Sequence, residues 1–153
     1  MKTMFTLALI GFALLMCERS AFACGCPTVG GFTREQEVQG IVNRAGTAVF
    51  TGKLTEITDR STYREVTFTV DQYWSGKVTQ RFTIRTERTN TSCAFGFQID
   101  KSYLVFAETY KGHLYTAECS RNQLVDKAME DLGYLGEGIK PDDAKDSPVD
   151  DRK

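Results

Sequence analysis

Apolar and polar positions alternate with a period of two through the middle of this chain, and switch to a helical spacing on either side of it. Ala48, Phe50 and Leu54 share one parity, with polar residues or glycine around them except at Val49. Val66, Phe68 and Val70 alternate with Glu65, Thr67, Thr69 and Asp71, and Phe82 and Ile84 alternate with Arg81, Thr83 and Arg85. Alternation of this kind marks strands with one face in a core and one in water, so three strands are predicted here. Tyr103-Leu104-Val105-Phe106-Ala107 is apolar at every position, which predicts a fourth strand covered on both faces. A fifth, short strand is expected over residues 113–117, after the Lys111-Gly112 turn, and Ser75-Gly76-Lys77 supplies the turn between the second and third runs.

The flanking segments read as helices. Val38, Ile41, Val42 and Ala45 recur at helical spacing behind a Thr33/Gln36 capping box, with Gly46 as the stop. After the strands, Leu124, Val125, Ala128, Leu132 and Leu135 trace a second apolar face, with Ser120 and Gln123 as its capping box and Gly133 or Gly136 as its end. From Glu137 onward the chain is polar, and residues 137–153 are expected to form an acidic tail without a fold of its own. Five strands between two helices predict a mainly β domain over residues 24–136. A five-stranded Greek-key barrel, the OB-fold, hides every strand edge by closing on itself. A β-sandwich with peripheral helices is the alternative.

The first two dozen residues follow neither period. Lys2 precedes an apolar run over residues 4–17, broken only by Thr6 and Gly11; Glu18-Arg19-Ser20 and then Ala21-Phe22-Ala23 come after it. This is the layout of a secretory signal with an Ala-x-Ala cleavage site, predicted over residues 1–23. The run is shorter than the roughly 20 apolar residues a membrane span needs. Lipidation of Cys24 is a second reading, disfavoured by the polar triplet that separates Cys24 from the apolar run. The exported chain is thus expected in a secreted or periplasmic location, off the membrane once cleaved, and monomeric. The chain beyond Ala23 is long enough for one domain with its own core. The formal net charge of −1 becomes −2 when Lys2, Glu18 and Arg19, together +1, are removed. That balance predicts no polyanionic partner.

Candidate chemistry centres on cysteine. Cys17 leaves with the signal, and Cys24, Cys26, Cys93 and Cys119 remain. An even count in an exported chain reads as two disulfides. Cys24 and Cys26 are too close to bridge each other comfortably, so one is expected to reach Cys93 and the other Cys119, with each long loop contributing on the order of 4 kcal/mol. Thiolate binding of a soft metal and redox activity are the other readings of Cys24-Gly25-Cys26. Under the disulfide reading, cleavage after Ala23 places a free amine beside the Cys24 carbonyl at a rigid tip, a ready bidentate ligand for a metal held by another protein.

Enzymatic constellations are thin. His113 is the single histidine and lies on a predicted strand, no phosphate loop or His-Glu-x-x-His pattern occurs, and no cofactor is called for. Tyr63, Phe68, Tyr73, Trp74 and Phe82 suit base stacking in an OB-fold, but their alternation is what a barrel core demands, with Trp74 as a cap on the barrel end. Neither an enzyme nor a nucleic-acid binder is expected.

Several segments together resemble the N-terminal domain of tissue inhibitors of metalloproteinases and, more broadly, the netrin-like OB-fold superfamily. They are Cys24-Gly25-Cys26-Pro27, Val66-Thr67-Phe68-Thr69-Val70 leading to Trp74-Ser75-Gly76-Lys77, Ser92-Cys93, Lys101-Ser102-Tyr103-Leu104-Val105, and Leu114-Tyr115-Thr116 before Cys119. The likeness implies a Cys24–Cys93 and Cys26–Cys119 pairing. It also implies a wedge of Cys24, Gly25, Cys26 and Pro27 beside Thr91, Ser92 and Cys93. In that family the first cysteine's amine and carbonyl chelate the catalytic zinc of a target metalloprotease, and the next side chain enters its S1′ pocket. Gly25 departs from the Thr or Ser usual there. The third disulfide of that domain and the family's C-terminal domain are absent, which suggests a bacterial member. The alternative function is a netrin-like binding or structural module of the cell envelope, with the cysteines as staples.

Overall fold

The computed structural model describes residues 24–26, 30–88 and 93–141. In chain order these form α1 (Arg34–Val42), β1 (Thr47–Asp59), β2 (Arg64–Ser75), β3 (Arg81–Thr86), β4 (Ser102–Tyr110), β5 (His113–Thr116), β6 (Gln123–Leu124) and α2 (Met129–Leu135), with 3-10 turns at Glu118–Ser120 and Val125–Lys127. The expected five strands are all present.

β1 pairs antiparallel with β2 on one side and with β4 on the other. β2 continues to β3, β4 folds back on β5, and β3 and β5 meet in parallel at Arg85↔Tyr115 and Thr86↔Thr116. Each of these five strands therefore has two neighbours, and the order β1-β2-β3-β5-β4 closes into the OB-fold barrel. The sandwich alternative is excluded. Serving two partners requires β1 to coil, and its pairing with β2 shifts register between Val49 and Phe50, Thr51 and Gly52, and Leu54 and Glu56. At Gly52 the backbones nearly touch, since a Cβ there would lie 2.7 Å from the Thr69 carbonyl oxygen.

The barrel interior holds Phe50, Leu54, Val66, Phe68, Val70, Ile84, Tyr103, Val105 and Ala107. Phe50 meets Phe68 and Phe82 edge to face, with ring centroids at 5.2 and 5.4 Å, an arrangement that suits aromatic quadrupoles. The opposite face of β1 and β4, presenting Val49, Leu104 and Phe106, is covered by Val38, Ile41 and Val42 of α1 and by Leu132 and Leu135 of α2. That second layer is why residues 103–107 are apolar on both faces. α1 begins with the expected box: Gln36 N donates to Thr33 Oγ1 at 3.2 Å and Thr33 N to Gln36 Oε1 at 2.9 Å.

The C-terminal region departs from the expected single helix. Ser120 Oγ accepts from Ala117 N inside a 3-10 turn, and Gln123 and Leu124 pair with Leu104 and Tyr103 of β4 as β6. The cause is Asn122, whose Oδ1 accepts from Phe106 N and whose Nδ2 donates to Thr116 Oγ1 and the Ala117 carbonyl. These bonds satisfy buried groups only if the segment runs extended beside β4. Leu124 consequently packs on the barrel core, while Leu132 and Leu135 pack on the helical layer. Trp74 also belongs to that layer rather than to a barrel end, and its indole donates to the Gly136 carbonyl at 3.0 Å. Past Gly136, Ile139 exchanges two backbone bonds of 2.8 Å with Tyr73, so pairing extends into the segment expected to be a free tail; residues 142–153 lie outside the described residues.

Candidate functional site

Two corners of the barrel converge to build the site. The segment after β3 delivers Cys93, and the 3-10 turn after β5 delivers Cys119. They are stitched together where Glu118 N donates to the Cys93 carbonyl at 3.0 Å. Behind Cys93, Phe95 and Phe97 turn inward and join the barrel core, with Phe97 5.6 Å from Phe68 and 5.0 Å from Tyr103 between ring centroids. Burial of the Phe97 ring, with the half-buried Phe95 packed against the same core, holds the Cys93 backbone in place. Sequence reasoning passed over both residues, although the alternation of Phe95-Gly96-Phe97 directly after Cys93 is a signal of inward anchoring.

Cys119 is held by charge. Arg121, in a left-handed backbone conformation with φ 62°, pairs with Glu37 of α1 and reaches Asp131 Oδ1 of α2 at 3.3 Å. Asp131 is fully buried and also accepts from Arg34 Nε at 2.7 Å and Gln123 Nε2 at 2.6 Å. Hydrogen bonding to Asp131 raises the Arg34 guanidinium above its ordinary value. A buried carboxylate with three donors is the arrangement in which burial of charge is tolerated. It ties α1, α2 and the residues after Cys119 into one body.

Onto these two anchors the N-terminal strip is bolted. Disulfides join Cys24 to Cys93 and Cys26 to Cys119, with Cα separations of 5.0 and 5.3 Å. This is the pairing implied by the resemblance. The two bridges lie side by side, Cys24 Sγ being 4.0 Å from Cys119 Sγ. Cys24 is half-buried, while Gly25 and Cys26 are exposed. With all four sulfurs in bridges, the thiolate metal-site reading of Cys24-Gly25-Cys26 loses its ligands. Disulfides of this kind persist in oxidising, extracytoplasmic surroundings, and no helix among the described residues is long and apolar enough to cross a membrane.

Gly25 spans the gap between the bolts. A Cβ built on it meets no atom of the described residues within 4 Å, and its φ is not left-handed, so among those residues a side chain there has open space. Beside the Cys26–Cys119 bridge an open groove of about 610 Å³ runs along α1, floored by Ile41 and Phe106 and edged by Phe32, which is 61% exposed. Of the remaining expected wedge, Cys93 adjoins the strip through its disulfide, and Pro27, Thr91 and Ser92 lie outside the described residues.

The other candidates fall elsewhere. His113 is exposed at the start of β5, opposite Tyr110. Phe68 is buried and Phe82 packs on the core, so both serve the barrel, and Tyr63 lies under the Arg85 guanidinium at 4.2 Å. Among the described residues no group of three or more His, Cys, Asp or Glu is placed to hold a metal ion. Compared with known families, no family model matches the chain, and a search of curated proteins finds no match.

Proposed function

We propose that this chain is an exported metalloendopeptidase inhibitor of the kind that the netrin-like and metalloproteinase-inhibitor resemblance implies. Signal cleavage behind Ala23 frees the Cys24 amine. That amine and the Cys24 carbonyl form a five-membered chelate on the catalytic zinc of a target protease, taking the position of its reactive water. The protein does no chemistry of its own. The observation that carries the reading is the bolting of the Cys24-Gly25-Cys26 strip, half-buried at Cys24 and exposed at Gly25 and Cys26, by two disulfides onto a barrel corner. A strip fixed at both ends loses little freedom on binding, and preorganisation of that kind lowers the cost of association.

The test is to block the amine without touching the fold. Adding one alanine before Cys24, or acetylating the amine, is expected to abolish inhibition of zinc endopeptidases while circular dichroism and both disulfides stay unchanged. Equal potency of the extended and authentic forms refutes the chelation mechanism. The second reading, an envelope binding or structural module, draws on Gly25: a strip with no side chain at its centre has no anchor for a specificity pocket. It predicts that the authentic form inhibits no zinc endopeptidase.

A further inference from the structure

Cys24 Sγ stands 4.0 Å from Cys119 Sγ, the sulfur of the neighbouring bridge, and Cys119 and Cys26 are exposed to solvent. A thiolate at Cys24 would thus already face a disulfide sulfur at near contact distance, in the folded state. The chain between the partners places little bias on the outcome. The existing bridges span 69 and 93 residues and a Cys24–Cys119 bridge spans 95, and loop-closure entropy depends only logarithmically on such lengths.

We infer that the two disulfides form an exchange-competent pair in which Cys24 passes from Cys93 to Cys119 without unfolding of the barrel. In the intact protein the step is opened by a small monothiol of the glutathione class. Its thiolate attacks Cys93 Sγ, forms a mixed disulfide there and expels Cys24 as a thiolate. Cys24 then attacks Cys119 Sγ; the Cys24–Cys119 bond forms, the Cys26–Cys119 bond breaks, and Cys26 leaves as a thiolate that takes a proton from water. If Cys26 next attacks the mixed disulfide at Cys93, the monothiol is expelled, so the overall change is an isomerisation with the thiol as catalyst and no net oxidation or reduction. The exchange stands whether or not the strip inhibits a protease. If it does, moving Cys24 from one anchor to the other shifts the proposed chelating amine and carbonyl.

The Cys93→Ser variant starts the same step without added thiol, because Cys24 is then free beside an intact Cys26–Cys119 bridge. Samples of the folded variant are held at a series of pH values, quenched in acid and mapped by mass spectrometry of non-reduced peptides. The expected result is a Cys24–Cys119 peptide accumulating alongside Cys26–Cys119. Its rate should rise about tenfold per pH unit below the thiol pKa near 8.5, because the thiolate is the nucleophile. A Cys24–Cys26 peptide should be absent, since that pairing reports exchange in unfolded chains. Cys26–Cys119 alone at every pH, or Cys24–Cys119 arising only together with Cys24–Cys26, overturns the inference. Should Cys93→Ser fail to fold, Cys26→Ser supplies the reverse attack, by free Cys119 on Cys24, and Cys24–Cys119 must again appear; a Cys24–Cys93 bridge that stays unexchanged there overturns it equally.

Discussion

Gly25 allows the fold and the proposed function to be perturbed separately. In Gly25→Leu the new side chain meets no atom of the described residues within 4 Å at its Cβ and requires no left-handed backbone. The folded state is therefore unstrained, and replacing glycine narrows the unfolded ensemble, a stabilisation of about 0.4–1 kcal/mol. The urea midpoint should hold or rise slightly. If residue 25 faces a protease pocket, full burial of a leucine side chain contributes about 1.5–3 kcal/mol. At about 1.4 kcal/mol per decade, that is roughly a tenfold to hundredfold lower inhibition constant. The assay is hydrolysis of a fluorogenic peptide by a zinc endopeptidase that the wild type inhibits, with Gly25→Thr as a smaller step in the same direction. A weaker constant with an intact fold still places residue 25 against the target, in a pocket too shallow for leucine. Identical constants for Gly, Thr and Leu refute the placement of residue 25 in a pocket, and a destabilised fold refutes the open space around it.

Three further outcomes test the supports of the site. Asp131→Ala leaves Arg34, Arg121 and Gln123 without their shared buried acceptor, and urea unfolding should show a loss of about 3–5 kcal/mol; a loss under about 1 kcal/mol would show that the knot is dispensable. Replacing Cys26 and Cys119 together by Ser opens a 93-residue loop and should cost about 4–5 kcal/mol in the chain-entropy model, read from the same unfolding curves. Burial first, and the Glu87 carboxylate second, raise the Tyr115 hydroxyl above its ordinary value of 10.0. The folded state then holds that proton more tightly than the unfolded state, so the contribution is complete below pH 10 and fades above it. The stability advantage of wild type over Tyr115→Phe should accordingly shrink between pH 10 and 12, and a constant difference across that range contradicts the assignment.

The barrel was legible because each of its long strands carries its own record of burial. Val66, Phe68 and Val70 point inward and their neighbours outward, and the doubly apolar run at Tyr103–Ala107 reports the helical layer outside β4. Closure through the parallel β3–β5 contact is a non-local pairing that no local period encodes; strand count and edge burial are what point to it. The misreading at residues 120–128 has an equally physical origin. Ser120 and Gln123 match a capping box, and Leu124, Ala128 and Leu132 stand four apart, yet Leu124 packs on the barrel and Leu132 on the helices. Side-chain bonds from one residue, Asn122, to Phe106, Thr116 and Ala117 outweigh that spacing. Periodicity counts apolar faces and does not register a buried amide.

The cysteine pairing illustrates the same limit at the site itself. Spacing alone leaves Cys24 and Cys26 interchangeable, because swapping their partners changes the loops by two residues in lengths of 69 and 93. The alternatives are separated by where Cys93 and Cys119 stand, and that is set by features far from the N-terminus: Phe95 and Phe97 in the core, Arg121 on Glu37 and Asp131, and the Glu118–Cys93 backbone bond. The strip between them then needs no packing of its own. Among the described residues a Cβ at position 25 touches no neighbouring atom, and the covalent bolts on either side hold its backbone in place. Its side chain is therefore free of any folding role, and changes at this position should register in binding long before they register in stability.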